Sequence, residues 1–427
     1  MPKKETNAER MAKFIKEMSG RAEIKKAESF SKVSSGMPSL DFVLKGGFPQ
    51  GAVTEIFGPP NTGKSTTAVI GMIEVFHDAI ANEKYIAYLD LEGRSDVEYW
   101  AKLGAPFIEV APGEWECMYK DENGVEYIQI IKAKDGVGEK YMQVVLDMIK
   151  SELYYMIIID SVGNLAPKSE LESNIDGNAI AMGLVARMMS KWNRMVTPVL
   201  RESKTIIIAL NQAREVIDTT EKRFTKTGKK SPGGLAFHHM GTYRIETYHM
   251  QDDWYDGKKR EDLARLVVRF YLRKTSASDS VKALQSINIV RDHDTNEYRV
   301  DKAADLYPIA KALGVVTNKK GDEYGSGYCY FDAMNYGYFV DEFAEPPYEY
   351  ADDKDDHRFM IGGKEADIID AIRNDPYLYM TLEDAVRLKY GAKPINAEIL
   401  EAAFSASLSE EDELDEEPNS SEDTDLL

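Results

Sequence analysis

The chain has 427 residues, 43% of them hydrophobic, enough to bury a sizeable core, so it is not a disordered protein. No apolar run approaches the 18 residues a membrane span needs, and the charged start, Met1 to Arg10, has no apolar stretch behind it, so a cytoplasmic location without membrane contact is expected. Cys117 and Cys329, far apart and outside any CxxC pair, exclude a disulfide framework and a four-cysteine zinc site. The net charge of −20 argues against a nucleic-acid binder until its distribution is considered: ten acidic residues and no basic one lie between Glu410 and Asp425. Residues 409–427 therefore form an acidic tail of disordered composition, which serves either solubility or competition with DNA.

In chain order, Met11, Phe14, Ile15 and Met18 sit at helical spacing among lysines and glutamates, an amphipathic helix whose stripe must cover either this core or a neighbouring subunit. Residues 1–32 are thus a docking helix with its linker. The runs Val53–Phe57, Tyr85–Leu89, Met156–Ile159 and Thr205–Ala209 are short, continuous and β-branched, as strands buried on both faces are. The expected fold class is α/β with a mainly parallel twisted sheet flanked by helices, over 33–330. Leu266–Leu272 and Ser286–Val290 read as further strands, and the polar stretch at about 112–135 as a surface insertion. A helical unit over about 366–390 belongs to a small C-terminal domain, 331–408. No internal repeat is visible.

Gly58, Pro59, Pro60, Asn61, Thr62, Gly63, Lys64 and Ser65 make a full G-x-x-x-x-G-K-[ST] loop between an expected strand and a helix-like stretch opening at Thr66. Glycines let backbone N–H groups close on phosphate, the helix N-terminus adds a favourable dipole, Lys64 reaches the β/γ-phosphates, and Ser65 can ligate Mg²⁺. Such a site needs a strand-end carboxylate for the cation; Asp160 fits, although an aspartate after an apolar run also serves as a turn residue. Hydrolysis needs a group to orient or deprotonate water, and Glu92 is the candidate, with Asp90 as its rival.

With these residues in place, the chain resembles the RecA family of P-loop NTPases from about residue 30 to 330. The resemblance is carried by Ser34–Asp41 and Gly46–Gly51 leading into the loop, by Asp160–Glu170, by Met182–Ser190, and by Asn211-Gln212 after the fourth strand. The insertion, the aromatic stretch 324–350 and the altered C-terminus suit a divergent member of bacteriophage type. The resemblance implies an ATP- and Mg²⁺-dependent recombinase, a DNA-stimulated ATPase that forms helical filaments on single-stranded DNA and pairs it with homologous double-stranded DNA. Single-strand-binding and loader proteins are its implied accessory partners.

It also implies roles residue by residue. Glu92 falls on the family's catalytic glutamate, and Gln212 on the glutamine that senses the γ-phosphate. Asp96 and Tyr99 match adenine contacts, Tyr99 by stacking, with plain packing as the alternative. Lys274 matches one of two lysines that reach a neighbour's phosphates; the second is replaced by Thr275 or Ser276, with Arg273 alongside. Met182 matches an apolar wedge between bases, unless it is simply core. An arginine pair that holds duplex in the family is replaced by Tyr248 and His249. Arg187, Ser190 and Arg194 share one helical face suited to a phosphate backbone. The segment Ala213–Gly234 carries Arg214, Lys222, Arg223, Lys226, Lys229 and Lys230 against three acids, with Gly233 and Gly234 as backbone donors. Such a loop is either solvated or DNA-binding, and its position directly after Gln212 favours DNA. A hexameric helicase or translocase on the same core, and an ATP-dependent scaffold that never binds DNA, are the competing readings.

Overall fold

A computed structural model describes residues 10, 11, 13 and 16, then 30–172, 184–212, 214–215, 229–230, 241–248, 251–254, 263–275, 284–318, 329–331, 349–350 and 359–400. Its contacts separate Met1–Ser31 from Lys32–Leu427. In the first unit Arg10, Met11, Lys13 and Lys16 are helical.

The second unit is built on a ten-stranded sheet. Its parallel part comprises β1 (Ala52–Gly58), β2 (Tyr85–Asp90), β3 (Ile128–Lys132), β4 (Tyr154–Asp160), β5 (Ile206–Gln212) and β6 (Tyr243–Thr247). Across the sheet these lie in the order β6-β1-β5-β4-β2-β3, each pair parallel. Next to β6, the strand β8 (Leu263–Thr275) continues the sheet antiparallel, followed by β9 (Leu284–Arg291) and β10 (Tyr298–Val300), while β7 (Gln251–Trp254) also pairs with β8.

The helices are α1 (Pro38–Leu44), α2 (Lys64–Glu74), α3 (Phe76–Ala81), α4 (Val97–Lys102), α5 (Gly138–Ser151), α6 (Lys168–Leu171), α7 (Leu184–Ser203), α8 (Lys302–Ala312), α9 (Glu365–Asn374) and α10 (Pro376–Lys389). The apolar strand runs are continuous because each face has its own helices. On β4, Met156 and Ile158 join an apolar cluster with α1, α2 and α3, whereas Ile157 and Ile159 join another with α5 and α7. The expected α/β class, with a mainly parallel sheet between helices, is what the chain adopts.

The stretch 112–135 departs from the expected surface insertion. Phe107–Ala111 pairs with Glu114–Cys117 as a hairpin, but Ile128–Lys132 is β3, the outermost parallel strand. An edge strand is covered on one flank only, so Gln129 and Lys132 stand among its isoleucines and the apolar signature is lost.

After α8 comes a four-stranded antiparallel sheet of β11 (Val316–Asn318), β12 (Cys329–Phe331), β13 (Glu349–Tyr350) and β14 (Phe359–Gly362), in the order β11-β12-β14-β13. Ile368 of α9 and Leu378 and Leu382 of α10 are fully buried in the same cluster as α1 and α2. A buried ion pair marks this junction: Arg387 Nη1 lies 3.2 Å from Asp41 Oδ2, and its Nη2 donates to the Gly46 carbonyl at 3.2 Å. Asp41 also accepts from the Ser34 and Ser35 hydroxyls at 2.8 and 2.6 Å.

Candidate functional site

The parallel strands end on one rim. There β1 runs into Gly58–Ser65, β2 into Asp90–Asp96, β4 into Asp160-Ser161, and β5 closes on Gln212. In open α/β sheets this is the crevice where ligands bind.

Local sterics dictate the first loop. A Cβ on Gly58 would stand 2.3 Å from Thr247 Oγ1 and 2.6 Å from its carbonyl oxygen, so only glycine lets β1 end beside β6. Gly63 has a φ of 78° and Asn61 one of 55°, the left-handed conformations that wrap a loop around an anion. Gly63 caps α2 without a side-chain hydrogen bond, leaving the first amides of that helix to a ligand. Thr62 ties the loop down by donating to the Pro59 carbonyl at 2.8 Å and meeting the Thr247 hydroxyl at 2.7 Å. Lys64 Nζ curls onto the Pro59 carbonyl at 2.6 Å; burial lowers its pKa, opposed by the nearby Asp160 and Glu92. Thr66 reaches the Tyr99 hydroxyl at 3.5 Å.

The carboxylates separate by their donors. Asp90 accepts from the amides of Gly93, Arg94 and Ser95 at 2.7, 3.1 and 3.1 Å, and from the Ser95 hydroxyl. It is the knot of the turn. Glu92 Oε1 instead accepts from Ser161 Oγ at 2.6 Å and Gln212 Nε2 at 2.8 Å, so the ends of β2, β4 and β5 meet there. Asp160 Oδ2 accepts from Ser65 Oγ at 2.9 Å and from the Tyr88 hydroxyl at 2.6 Å. Burial raises the Asp160 pKa, against those two hydroxyls. Among the described residues no group of three or more His, Cys, Asp or Glu could hold a metal by itself. The Ser65 and Asp160 oxygens do fit a hard divalent cation that takes its remaining ligands from phosphate and water.

Beside this rim lies a recess of about 310 Å³ lined by Asp96, Glu98, Tyr99, Lys102, Arg291, Asn296 and Tyr298. Asp96 accepts from the Tyr99 amide at 3.0 Å and so caps α4, presenting the Tyr99 ring. That ring meets Tyr298 edge-on at 5.3 Å, and Arg291 lies over Tyr298 and donates to Asn296 Oδ1 at 2.7 Å.

Loop residues 58–66, Glu92, Asp160 and Gln212 therefore come together, with Asp96 and Tyr99 at the side. Lys274 does not join them. It pairs with Arg244, which pairs with Glu55, three residues before Gly58, and its Nζ donates to the Gly241 carbonyl at 3.0 Å. Burial lowers the Lys274 pKa, with Arg244 adding to the effect. On α7, Arg187 and Arg194 are exposed on one face and Arg194 donates to Ser190 Oγ at 3.2 Å. After Gln212, Arg214–Glu215 pairs antiparallel with Lys229–Lys230. Met182, Lys222, Arg223, Lys226, Gly233, Gly234, His249, Ser276 and the tail 409–427 lie outside the described residues.

Sequence reasoning missed Tyr88, Ser161 and Thr247, whose hydroxyls act on motif residues, and the wall of Arg291, Asn296 and Tyr298. Ser161 stood directly after Asp160 and was the one within reach. Tyr88 reads as apolar inside its run, and Tyr298 is 199 residues from Tyr99.

Comparison with known proteins gives a consistent picture. A family model described as the RecA N-terminal domain matches residues 10–111 and 105–269. The chain is 32% identical over 215 residues to Protein RecA of Mesoplasma florum, covering 50% of this chain and 56% of that protein. It is 30% identical over 236 residues to Protein RecA of Ureaplasma parvum serovar 3, covering 55% and 62%. For Protein RecA of Halalkalibacterium halodurans the figures are 30% over 217 residues, covering 51% and 54%. The chain spans little more than half the length of the curated relatives it matches.

Proposed function

The chain belongs to the RecA family, and from that premise we propose that it is an ATP-dependent recombinase that polymerises on single-stranded DNA and pairs it with a homologous duplex. One observation carries the reading: Gln212 Nε2 donates to Glu92 Oε1 at 2.8 Å, and two residues further on the chain enters its basic segment. A single side chain thus links the carboxylate of the phosphate site to residues suited to a nucleic-acid backbone.

In this reading ATP lies along the loop Gly58–Ser65, its base beside Tyr99, its phosphates on the α2 amides and Lys64. Ser65 and Asp160 would hold magnesium, which would supply neutralisation of phosphate charge. Glu92 orients and deprotonates the attacking water, and Ser161 holds the Glu92 carboxylate through Oε1. Gln212 leaves Glu92 when a γ-phosphate is present and so changes the start of the segment that follows, a population shift driven by one phosphate. Arg187, Ser190, Arg194 and the lysines after Arg214 then grip phosphates without reading sequence, and homology is tested by base pairing. Lys274, whose Nζ donates to the Gly241 carbonyl, serves a neighbouring subunit in the filament.

The test is ATP hydrolysis with and without single-stranded DNA, followed by electron microscopy of the mixture. Stimulated hydrolysis with helical filaments is expected, and Lys64→Ala abolishes it. Rings that unwind forked DNA would replace the reading with a hexameric helicase; ATP-driven assembly with no DNA affinity would replace it with a scaffold.

A further inference from the structure

Tyr88 lies in the middle of β2, 1% exposed, with its ring 4.4 Å from that of Trp100 and tilted 50° to it. A buried phenol must find a hydrogen-bond partner. Any backbone carbonyl or neutral side chain would satisfy it, yet this one donates to Asp160 Oδ2, at 2.6 Å. The same oxygen accepts from the Ser65 hydroxyl at 2.9 Å. Two side chains, one from β2 and one from α2, thus converge on one carboxylate oxygen at the end of β4.

The geometry has a consequence for the cation site. The terminal torsion of an aspartate is broad and roughly two-fold, so a carboxylate held by one donor can rock. Two donors arriving from a strand and a helix stop it. With Asp160 fixed, the single proton of Ser65 stays committed to Oδ2 and the serine lone pairs are left for a cation. Oδ1 is left for a cation-bound water.

We propose that Tyr88 is a positioning residue of the cation site, aligning Asp160 and, through it, the Ser65 oxygen. The proposal rests on the reading of Ser65 and Asp160 as the magnesium-holding pair. It assigns Tyr88 no contact with nucleotide and no step in hydrolysis. Removing a group that orients a metal ligand costs about 10- to 100-fold in metal affinity in comparable sites.

The test uses full-length protein, an ATP analogue carrying a fluorescent N-methylanthraniloyl group, and magnesium chloride. Tyr88→Phe keeps the ring against Trp100 and loses only the hydroxyl. Its half-saturating magnesium concentration for analogue binding is expected to rise about tenfold, while binding in the presence of EDTA stays unchanged. A rise within twofold of the parent, even with a lowered unfolding midpoint, overturns the proposal in favour of a purely structural hydrogen bond. Asp160→Asn supplies a second arm: Tyr88→Phe should have no added effect on magnesium dependence in that background, and an equal effect in both backgrounds overturns positioning through Asp160. Should the parent bind the analogue equally with and without magnesium, the cation-site reading itself fails; a magnesium-dependent parent with an unaltered Tyr88→Phe defeats this inference alone.

Discussion

Asp90 and Glu92 lie two residues apart and do different work because of what donates to them. Three backbone amides and a serine hydroxyl consume Asp90, while Glu92 holds two side-chain donors and faces Lys64. Glu92→Gln should keep nucleotide binding and lose about 10²- to 10⁴-fold in hydrolysis, as removal of a general base does; a steady-state ATPase assay beside a binding titration checks it. The sequence placed both carboxylates after the same strand and left them as rivals, since the donors that separate them, Ser161 and Gln212, come from other strands. Asp305 gives a pH-dependent counterpart. It is fully buried, accepts from the Asn288 amide and side chain at 2.9 and 2.7 Å, and burial pushes its pKa from 3.8 to about 8. The folded chain holds this proton more tightly than the unfolded one, so its contribution to stability is complete at acid pH and is lost as pH rises from about 4 to about 8. Asp305→Asn should remove that slope and stabilise the protein by roughly 1–2 kcal/mol near pH 8, since a neutral amide avoids the buried charge. Urea midpoints measured at pH 5 and pH 8 decide the point.

At the scale of elements, legibility followed the burial of each strand. The run Met156–Ile159 was visible because helices cover both faces and every position is apolar, and Val53–Phe57 kept its apolar ends around the buried Thr54 and Glu55. Strand β6, which touches β1 directly, was not visible, because Arg244 and Glu246 interrupt its sequence. The structure shows why polar residues are tolerated there: Arg244 Nε lies 2.5 Å from Glu55 Oε2, and Glu246 pairs with Arg273. Sequence periodicity cannot anticipate compensation from a strand 189 residues away. The same strand explains the first glycine of the phosphate loop. Gly58→Ala would drive its methyl group into the Thr247 carbonyl, which cannot move without distorting β6. Such overpacking costs about 1–3 kcal/mol, and affinity for ATP should fall at least tenfold; isothermal titration beside thermal unfolding separates the two effects.

On the scale of the whole molecule, charge and connectivity are distributed unevenly. The described residues contain no helix long and apolar enough to cross a membrane. Half of the net charge of −20 lies in ten acidic residues between 410 and 425, so removal of 409–427 should strengthen duplex binding at low salt. A salt titration that does not change on deletion assigns the tail to solubility. The C-terminal helices are tied to the opposite end of the chain by the buried pair of Arg387 and Asp41. Losing one member of a buried ion pair costs about 3–5 kcal/mol, so Arg387→Met should lower the urea midpoint sharply, and pairing it with Asp41→Asn should recover part of the loss.

Arg387 reaches back 346 residues to Asp41 and 341 to Gly46, just ahead of the strand that feeds the phosphate loop. At roughly 5–20 residues per second, a ribosome takes on the order of tens of seconds to make the intervening polypeptide. Throughout that interval the emerging chain holds Asp41 without its guanidinium, and any product terminated before Arg387 keeps the Ser34 and Ser35 donors on that acid but never gains the cation. Translation thus has a built-in checkpoint: the lead-in to the phosphate loop is sealed only after the last turn of α10 has left the exit tunnel.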